Sequence, residues 1–191
     1  KYGMPDVTVA KQASWGATRD NLVLGSGGGG IDGAHILTPM PYLLTLGKIG
    51  AATPMSSLCR LNVNGQAISV EKEYLTAKAD LDAAKMKGII AKRKAAGNKI
   101  TMAMTFPGGT HDLWIRYWLA AGGIDPDKDL ELITVPPPQM VANMRANTME
   151  AFCVGEPWND QRVAQGRGYS AVSTGPMWMS HPEQSFALRT D

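Results

Sequence analysis

The alternation of apolar and polar positions is clearest in the middle of the chain. Residues 99–104 (Lys-Ile-Thr-Met-Ala-Met) read as a strand, and Phe106-Pro107-Gly108-Gly109-Thr110 as a turn. A helix over 111–121 follows, stopped by Gly122-Gly123. The next strand spans 130–135. Three prolines lead into a helix over 139–147, and 149–154 is a strand again. Strand, helix, strand, helix, strand at this spacing predicts an α/β sheet with right-handed crossovers.

The flanks carry weaker patterns. Residues 7–10 read as a short strand, and Ser14 or Thr18 opens a helix toward Leu24. A glycine-dense stretch, 25–33, precedes a strand over 31–36, and Pro39 and Pro41 open the next helix. Strand-like material occupies 61–63 and 67–70. Residues 75–96 predict a surface-charged helix ending near Gly97. A last strand over 169–173 leads into Met177-Trp178-Met179-Ser180-His181.

Composition narrows the classes. With 191 residues, 44% of them hydrophobic, the chain can bury a core as one domain or two small lobes. A net charge of +2, with no basic run on an aromatic platform, argues against nucleic acid. The basic cluster at Lys85, Lys87, Lys92, Arg93, Lys94 and Lys99 has the spacing of a solvated helix face. Of the two cysteines, Cys153 lies in the apolar run 151–154 and reads as a small buried hydrophobe rather than half of a disulfide. No stretch is long and apolar enough for a membrane-spanning helix.

Candidate chemistry concentrates at Thr105–His111. There a strand's carboxyl end meets a helix start, where open α/β sheets bind ligands. Gly108, Gly109 and Thr110 offer backbone N–H groups at the positive end of the helix dipole, a place for an anion. His111 adds a ring donor. The plainer alternative is a helix capped by Thr110 with His111 on the surface. Glu156, before Pro157-Trp158, is either a general acid or a structural hydrogen-bonder. His35 reads as a core histidine and His181 as a loop residue. No His-Glu-x-x-His, Gly-x-Ser-x-Gly or Cys-x-x-Cys pattern is present, which favours a binding protein over an enzyme.

Three stretches carry a resemblance. They are Lys11–Asn21 with Ile31-Asp32-Gly33-Ala34-His35, then Thr105-Phe106-Pro107-Gly108-Gly109-Thr110-His111-Asp112-Leu113-Trp114, and the segment from Pro136 to Asn159 that ends Phe152-Cys153-Val154-Gly155-Glu156-Pro157-Trp158-Asn159. Together they resemble the nitrate- and bicarbonate-binding solute-binding proteins of ABC transporters. The resemblance implies an α/β periplasmic binding protein fold of type II, with two lobes of mixed sheets, a ligand cleft, and a chain that is a fragment. Residues 1–69 and 170–191 would form a partial first lobe, and 70–169 the second.

It also implies a function: capture of a small oxyanion, nitrate or nitrite, for delivery to permease subunits, with no catalysis. The alternatives are bicarbonate binding with calcium, a cytoplasmic nitrate sensor of the same fold, or an enzyme of the thiamine-pyrimidine group, whose motifs are not visible. By resemblance the ligand contacts are Trp15, Gln66, His111, Gly155 and Gln184, with Gly108, Gly109, Thr110 and Glu156 in support. Gln184 falls where nitrate binders carry lysine and bicarbonate binders a glutamate, with calcium nearby. No metal or cofactor is implied for nitrate, and calcium only for bicarbonate. The implied location is the periplasm, held to the inner membrane by an N-terminal lipid anchor outside this chain.

Overall fold

The computed structural model describes residues 3–75, 82–164, 166 and 168–191. Ser14 opens the first helix: its backbone is extended and its hydroxyl accepts the Ala17 amide at 3.1 Å. Helix α1 (Trp15–Leu24) ends at Gly25, where φ is +66°. Strand β1 (Gly33–Leu37) and helix α2 (Met40–Thr45), with Pro41 in its first turn, complete this region. Strand β2 (Met55–Val63) and strand β3 (Gln66–Glu71) are separated only by Asn64 and Gly65, both left-handed (φ 57° and 85°). They do not form a hairpin, because each joins a different sheet.

Helix α3 (Lys72–Leu75), a 3-10 turn at Ala83–Met86 and helix α4 (Lys87–Ala95) come next. Then follow β4 (Thr101–Met104), α5 (Thr110–Ala121), β5 (Glu131–Thr134), α6 (Met140–Arg145) and β6 (Ala151–Gly155). The chain closes with α7 (Trp158–Ala164), β7 (Gly168–Ser173), α8 (Thr174–Met177) and β8 (Pro182–Arg189).

One sheet is three-stranded, in the order β1-β8-β2, and antiparallel throughout. The other is five-stranded, in the order β5-β4-β6-β3-β7. In it β4 runs parallel to β5 and β6, while β3 is antiparallel to β6 and β7, so the sheet is mixed. Strand alternation gives this sheet a core on each face. Ala151 and Cys153 of β6 pack with Ile68, Met102, Ile115 and Trp118, whereas Phe152 and Val154 pack with Ala103, Met140 and Met144. The three-stranded sheet packs Ile36, Leu37 and Ala187 against Leu22, Met40 and Phe106.

Several expectations need correction. Residues 7–10 are not a strand: Val7 and Val9 are exposed, and alternation alone cannot hold a strand without a neighbour to pair with. The single helix over 75–96 is interrupted. Asp82 sits in extended backbone (φ −113°) and its carboxylate accepts the Ala84 amide, starting a new turn; residues 76–81 lie outside the described part. His35 is exposed on β1, its ring edge-on to Trp15 at 5.8 Å, and is not in the core. Strand β8 was not expected at all. Positions 70 and 169, where lobe boundaries were expected, fall inside β3 and β7 of one sheet. Both cysteines are free, Cys153 buried and Cys59 exposed.

Candidate functional site

The site begins at the carboxyl end of β4. Gly109 N–H bonds to Phe106 O at 3.0 Å, folding the turn, and Gly109, not Thr110, is the residue that precedes the helix, with no side-chain cap. Asp112 caps from inside instead. Its carboxylate accepts the Gly108 amide at 2.8 Å and the Arg116 Nε–H at 2.7 Å. The two glycine amides are therefore committed within the turn and are not free to hold an anion. What requires glycine here is space. A Cβ on Gly108 would stand 2.9 Å from Leu43 Cδ1, and one on Gly109 would stand 2.7 Å from Leu37 Cδ1. The turn is pressed against α2 and β1, which binds the two sheets together. By helix geometry the first-turn amides of Thr110 and His111 have no intrahelical acceptor.

His111 is 2% exposed and not a surface residue. Its Nδ1 lies 2.6 Å from Thr105 Oγ1. Its Nε2 has no hydrogen-bond partner and faces Glu183 Oε1 at 3.5 Å. Burial pulls the imidazole down to about 3, so it is neutral in ordinary solution. Thr110, on the same turn, accepts from Gln66 Nε2 at 2.8 Å. Gln66 opens β3 directly opposite Gly155, the last residue of β6. A methyl group built on Gly155 would lie 3.8 Å from His111 Nε2 and 3.8 Å from Gly65 O. Gln66, His111, Gly155 and Thr110 are thus brought together by three elements, β3, α5 and β6.

Glu183 is the residue that sequence reasoning missed. It lies on β8 with both carboxylate oxygens buried; neither has a partner of good hydrogen-bond geometry, and the Thr110 hydroxyl is the one polar group close enough to favour its charged form. Burial pushes its carboxyl up to about 8. Its backbone oxygen accepts from Thr38 N at 3.1 Å, so the strand that carries it is fixed to the end of β1. Ser185, two residues on and on the same face, has a partnerless buried hydroxyl. The intervening Gln184 points to the other face of β8. It is partly exposed, and its backbone N–H donates to Asn62 Oδ1 at 3.1 Å. The structure therefore does not bring Gln184 to His111. The signal available in the sequence was Ala187: once β8 is taken as a strand with Ala187 inward, Ser185 and Glu183 must face inward too.

Trp15 is half-buried at the start of α1 and packs on the apolar cluster beneath the three-stranded sheet. No hydrogen bond among the described residues links it to His111. Glu156 is exposed and accepts the Asp160 amide at 3.2 Å, the structural role of a helix cap for α7; partial burial raises its carboxyl. Asn159 is the buried pin beside it. Its Oδ1 accepts from Ser69 Oγ at 2.7 Å and its Nδ2 donates to Val154 O at 2.9 Å. His181 is in a loop but buried, its Nε2 2.7 Å from Thr174 Oγ1, which donates to Gln66 O. Among the described residues no group of three or more His, Cys, Asp or Glu is placed to hold a metal ion.

Buried polar atoms normally find partners, because each one left alone costs about 1–3 kcal/mol. Here Gln66 Oε1, His111 Nε2, both Glu183 oxygens and Ser185 Oγ are without one of good geometry, and they come from β3 and α5 on the side of the five-stranded sheet and β8 of the three-stranded one. Two sheets, one of them mixed, with helices packed on both faces of the larger, make the α/β fold of the periplasmic binding proteins. The chain belongs to the NMT1-like family, whose model matches residues 1–191. It is 62% identical over 193 residues to the nitrate/nitrite binding protein NrtA of Synechocystis sp., covering 100% of this chain and 42% of that protein. It is 47% identical over 194 residues to the bicarbonate-binding protein CmpA of Synechococcus elongatus, covering 43% of it. The crystal structure of the periplasmic nitrate-binding protein NrtA from Synechocystis superposes with a TM-score of 0.93 at 61% identity, over 100% of this chain and 49% of that one. The chain thus spans less than half the length of these relatives.

Proposed function

We propose that this chain is the ligand-holding part of a solute-binding protein that captures nitrate or nitrite for an ABC importer and changes no bond in it. The carrying observation is the cluster of partnerless buried polar atoms around His111 and Gln66. With Thr105 Oγ–H donating to Nδ1, His111 offers Nε2–H to a ligand. Gln66 offers an N–H when its amide is turned so that Oε1 accepts from Thr110 instead; heavy-atom positions do not distinguish the two settings. Gly155 leaves the space over His111 Nε2 open. Micromolar affinity corresponds to about −8 kcal/mol, within reach of a few charge-assisted hydrogen bonds in a dry site.

The two sheets serve as the cores of the two lobes in this reading, with the chain passing between them at Asn64-Gly65 and again over residues 174–181. Trp15 lines the wall on the three-stranded side. The periplasm, permease subunits as partners and a lipid anchor outside this chain belong to the same reading, supported by the likeness to NrtA. A second reading, bicarbonate, is favoured by one feature: an ionised Glu183 would accept the bicarbonate O–H. Identity favours nitrate, 62% against 47%.

Calorimetry of the full-length protein tests the choice. Nitrate or nitrite should bind with micromolar affinity and with no need of calcium. Binding of bicarbonate alone, strengthened by calcium, would replace nitrate with the second reading.

A further inference from the structure

Glu183 is the one side chain in the cluster that an acceptor-only anion ought to repel. It is 2% exposed, neither oxygen has a hydrogen-bond partner of good geometry, with only the Thr110 hydroxyl nearby, and His111 Nε2 lies 3.5 Å away, so any ligand seated on His111 must meet this carboxyl. Resting on the oxyanion reading above, we propose that Glu183 holds the bound nitrate as a protonated, hydrogen-donating carboxyl, so that in alkaline solution each nitrate captured brings one proton into the site.

The surroundings support this. His111 from α5 faces Glu183, Cys153 from β6 feels the charge of both Glu183 and Asp112, and His181 at the foot of β8 is bonded to Thr174. None of them is a cation. His111 is neutral through burial. Asp112 is already committed to Gly108 and Arg116. Cys153 is held as a thiol by burial, an effect that Glu183 and Asp112 reinforce. Nitrate and a carboxylate side by side in this dry place would be two anions without a countercharge, which costs far more than protonating one of them. Protonation costs little here, because burial already pushes the Glu183 carboxyl up to about 8. The proton comes from water or buffer. The resulting O–H donates to a nitrate oxygen, and no other bond changes.

The test is nitrate calorimetry on the full-length protein in two buffers of different ionisation enthalpy. Proton uptake per nitrate should be near zero at pH 6.5 and approach one at pH 9. The dissociation constant should weaken about tenfold between pH 7 and pH 9, the slope of one linked proton. Glu183→Gln keeps a donor without a titration, so its constant should no longer depend on pH over that range. A wild type that takes up no proton at pH 9, or a slope that persists in Glu183→Gln because His111 carries the proton, would overturn the inference while leaving nitrate as ligand. Absence of nitrate binding at every pH would instead overturn the oxyanion reading, and this inference with it. Infrared difference spectra of wild type with labelled glutamate provide a second readout that does not depend on the variant folding. A nitrate-induced carboxylic-acid C=O band at pH 9 supports the proposal, and its absence refutes it.

Discussion

The two sheets are covered to different degrees. In the five-stranded sheet β3 is buried along all but its last residue, and β6 along all but Gly155. In the three-stranded sheet β2 runs nine residues with none buried. The cause is layering. Apolar clusters lie on both faces of β6, with α4 and α5 on one side and α6 and α7 on the other. Strand β2 pairs with β8 along one edge and presents Leu58 and Leu61 to solvent. A strand covered on both faces is a continuous apolar run, as in Ala151-Phe152-Cys153-Val154. One left open mixes its residues, as in Leu58-Cys59-Arg60-Leu61. The candidate site lies where the covered sheet meets the open one, so its residues obey the rules of neither.

The largest expected effect separates the two sheets by stability. Phe152→Ala should cost about 3–5 kcal/mol in urea unfolding of the full-length protein, because it opens a cavity among side chains that cannot collapse. Equal losses from Phe152→Ala and the exposed Leu61→Ala would erase the contrast.

The junction should show its own pH signature in the ligand-free protein. Unfolded, the Glu183 carboxyl titrates near 4.5 and the His111 ring near 6.5; folded, they stand near 8 and near 3. Glu183 is raised, so its contribution is full below 4.5 and is lost as pH climbs toward 8. His111 is depressed, so its contribution is full above 6.5 and is lost as pH falls toward 3. Between about 4.5 and 6.5 the two slopes oppose each other, and stability from this pair should be flat. On either side it should fall by up to about 1.4 kcal/mol per pH unit. Melting temperature against pH checks this, and Glu183→Gln should remove the alkaline fall and extend the acid fall up to about pH 6.5, where nothing then offsets His111.

Smaller again is His111→Ala, expected to weaken nitrate by about 1.5–3 kcal/mol, the loss of one hydrogen bond to a charged group. Titration calorimetry reads it, and an unchanged constant would take His111 out of the site. The smallest effects belong to the open sheet. Leu61→Ala should change stability by less than about 0.5 kcal/mol. Gln184→Lys and Gln184→Glu should both leave nitrate affinity within about twofold, because the side chain points away from His111. Opposite shifts from those two would put Gln184 in the site after all.

What could be read in the sequence follows the same division. The covered sheet was legible: β4, β5, β6 and α5 each combine a long apolar period with a glycine or proline stop, and local pattern and tertiary role agree there. His111 was legible from the strand–turn–helix spacing, Gln66 and Gly155 only from a resemblance, and the structure brings the three together. Strand β8 was illegible because its inward side is Glu183, Ser185 and Ala187, two polar residues where a core-facing period demands apolar ones. Those polar residues face the candidate site. Residues 7–10 failed in the opposite sense, alternating correctly with nothing to pair against. The amides of Gly108 and Gly109 were misjudged because no spacing rule reveals that Asp112 folds back to occupy one of them.

Gly155 sets a limit of an unusual kind on what mutation can reach. A methyl group there would meet His111 Nε2 and Gly65 O at 3.8 Å, an ordinary contact, and the backbone is not in the left-handed region. The empty protein should therefore accept alanine with its melting point intact. The same methyl group would occupy the space over the imidazole nitrogen that the ligand has to enter. A screen for folding would pass Gly155→Ala as harmless, whereas growth on scarce ligand would reject it. If the proposed role holds, the permitted size at this position is dictated by the cargo and not by the chain.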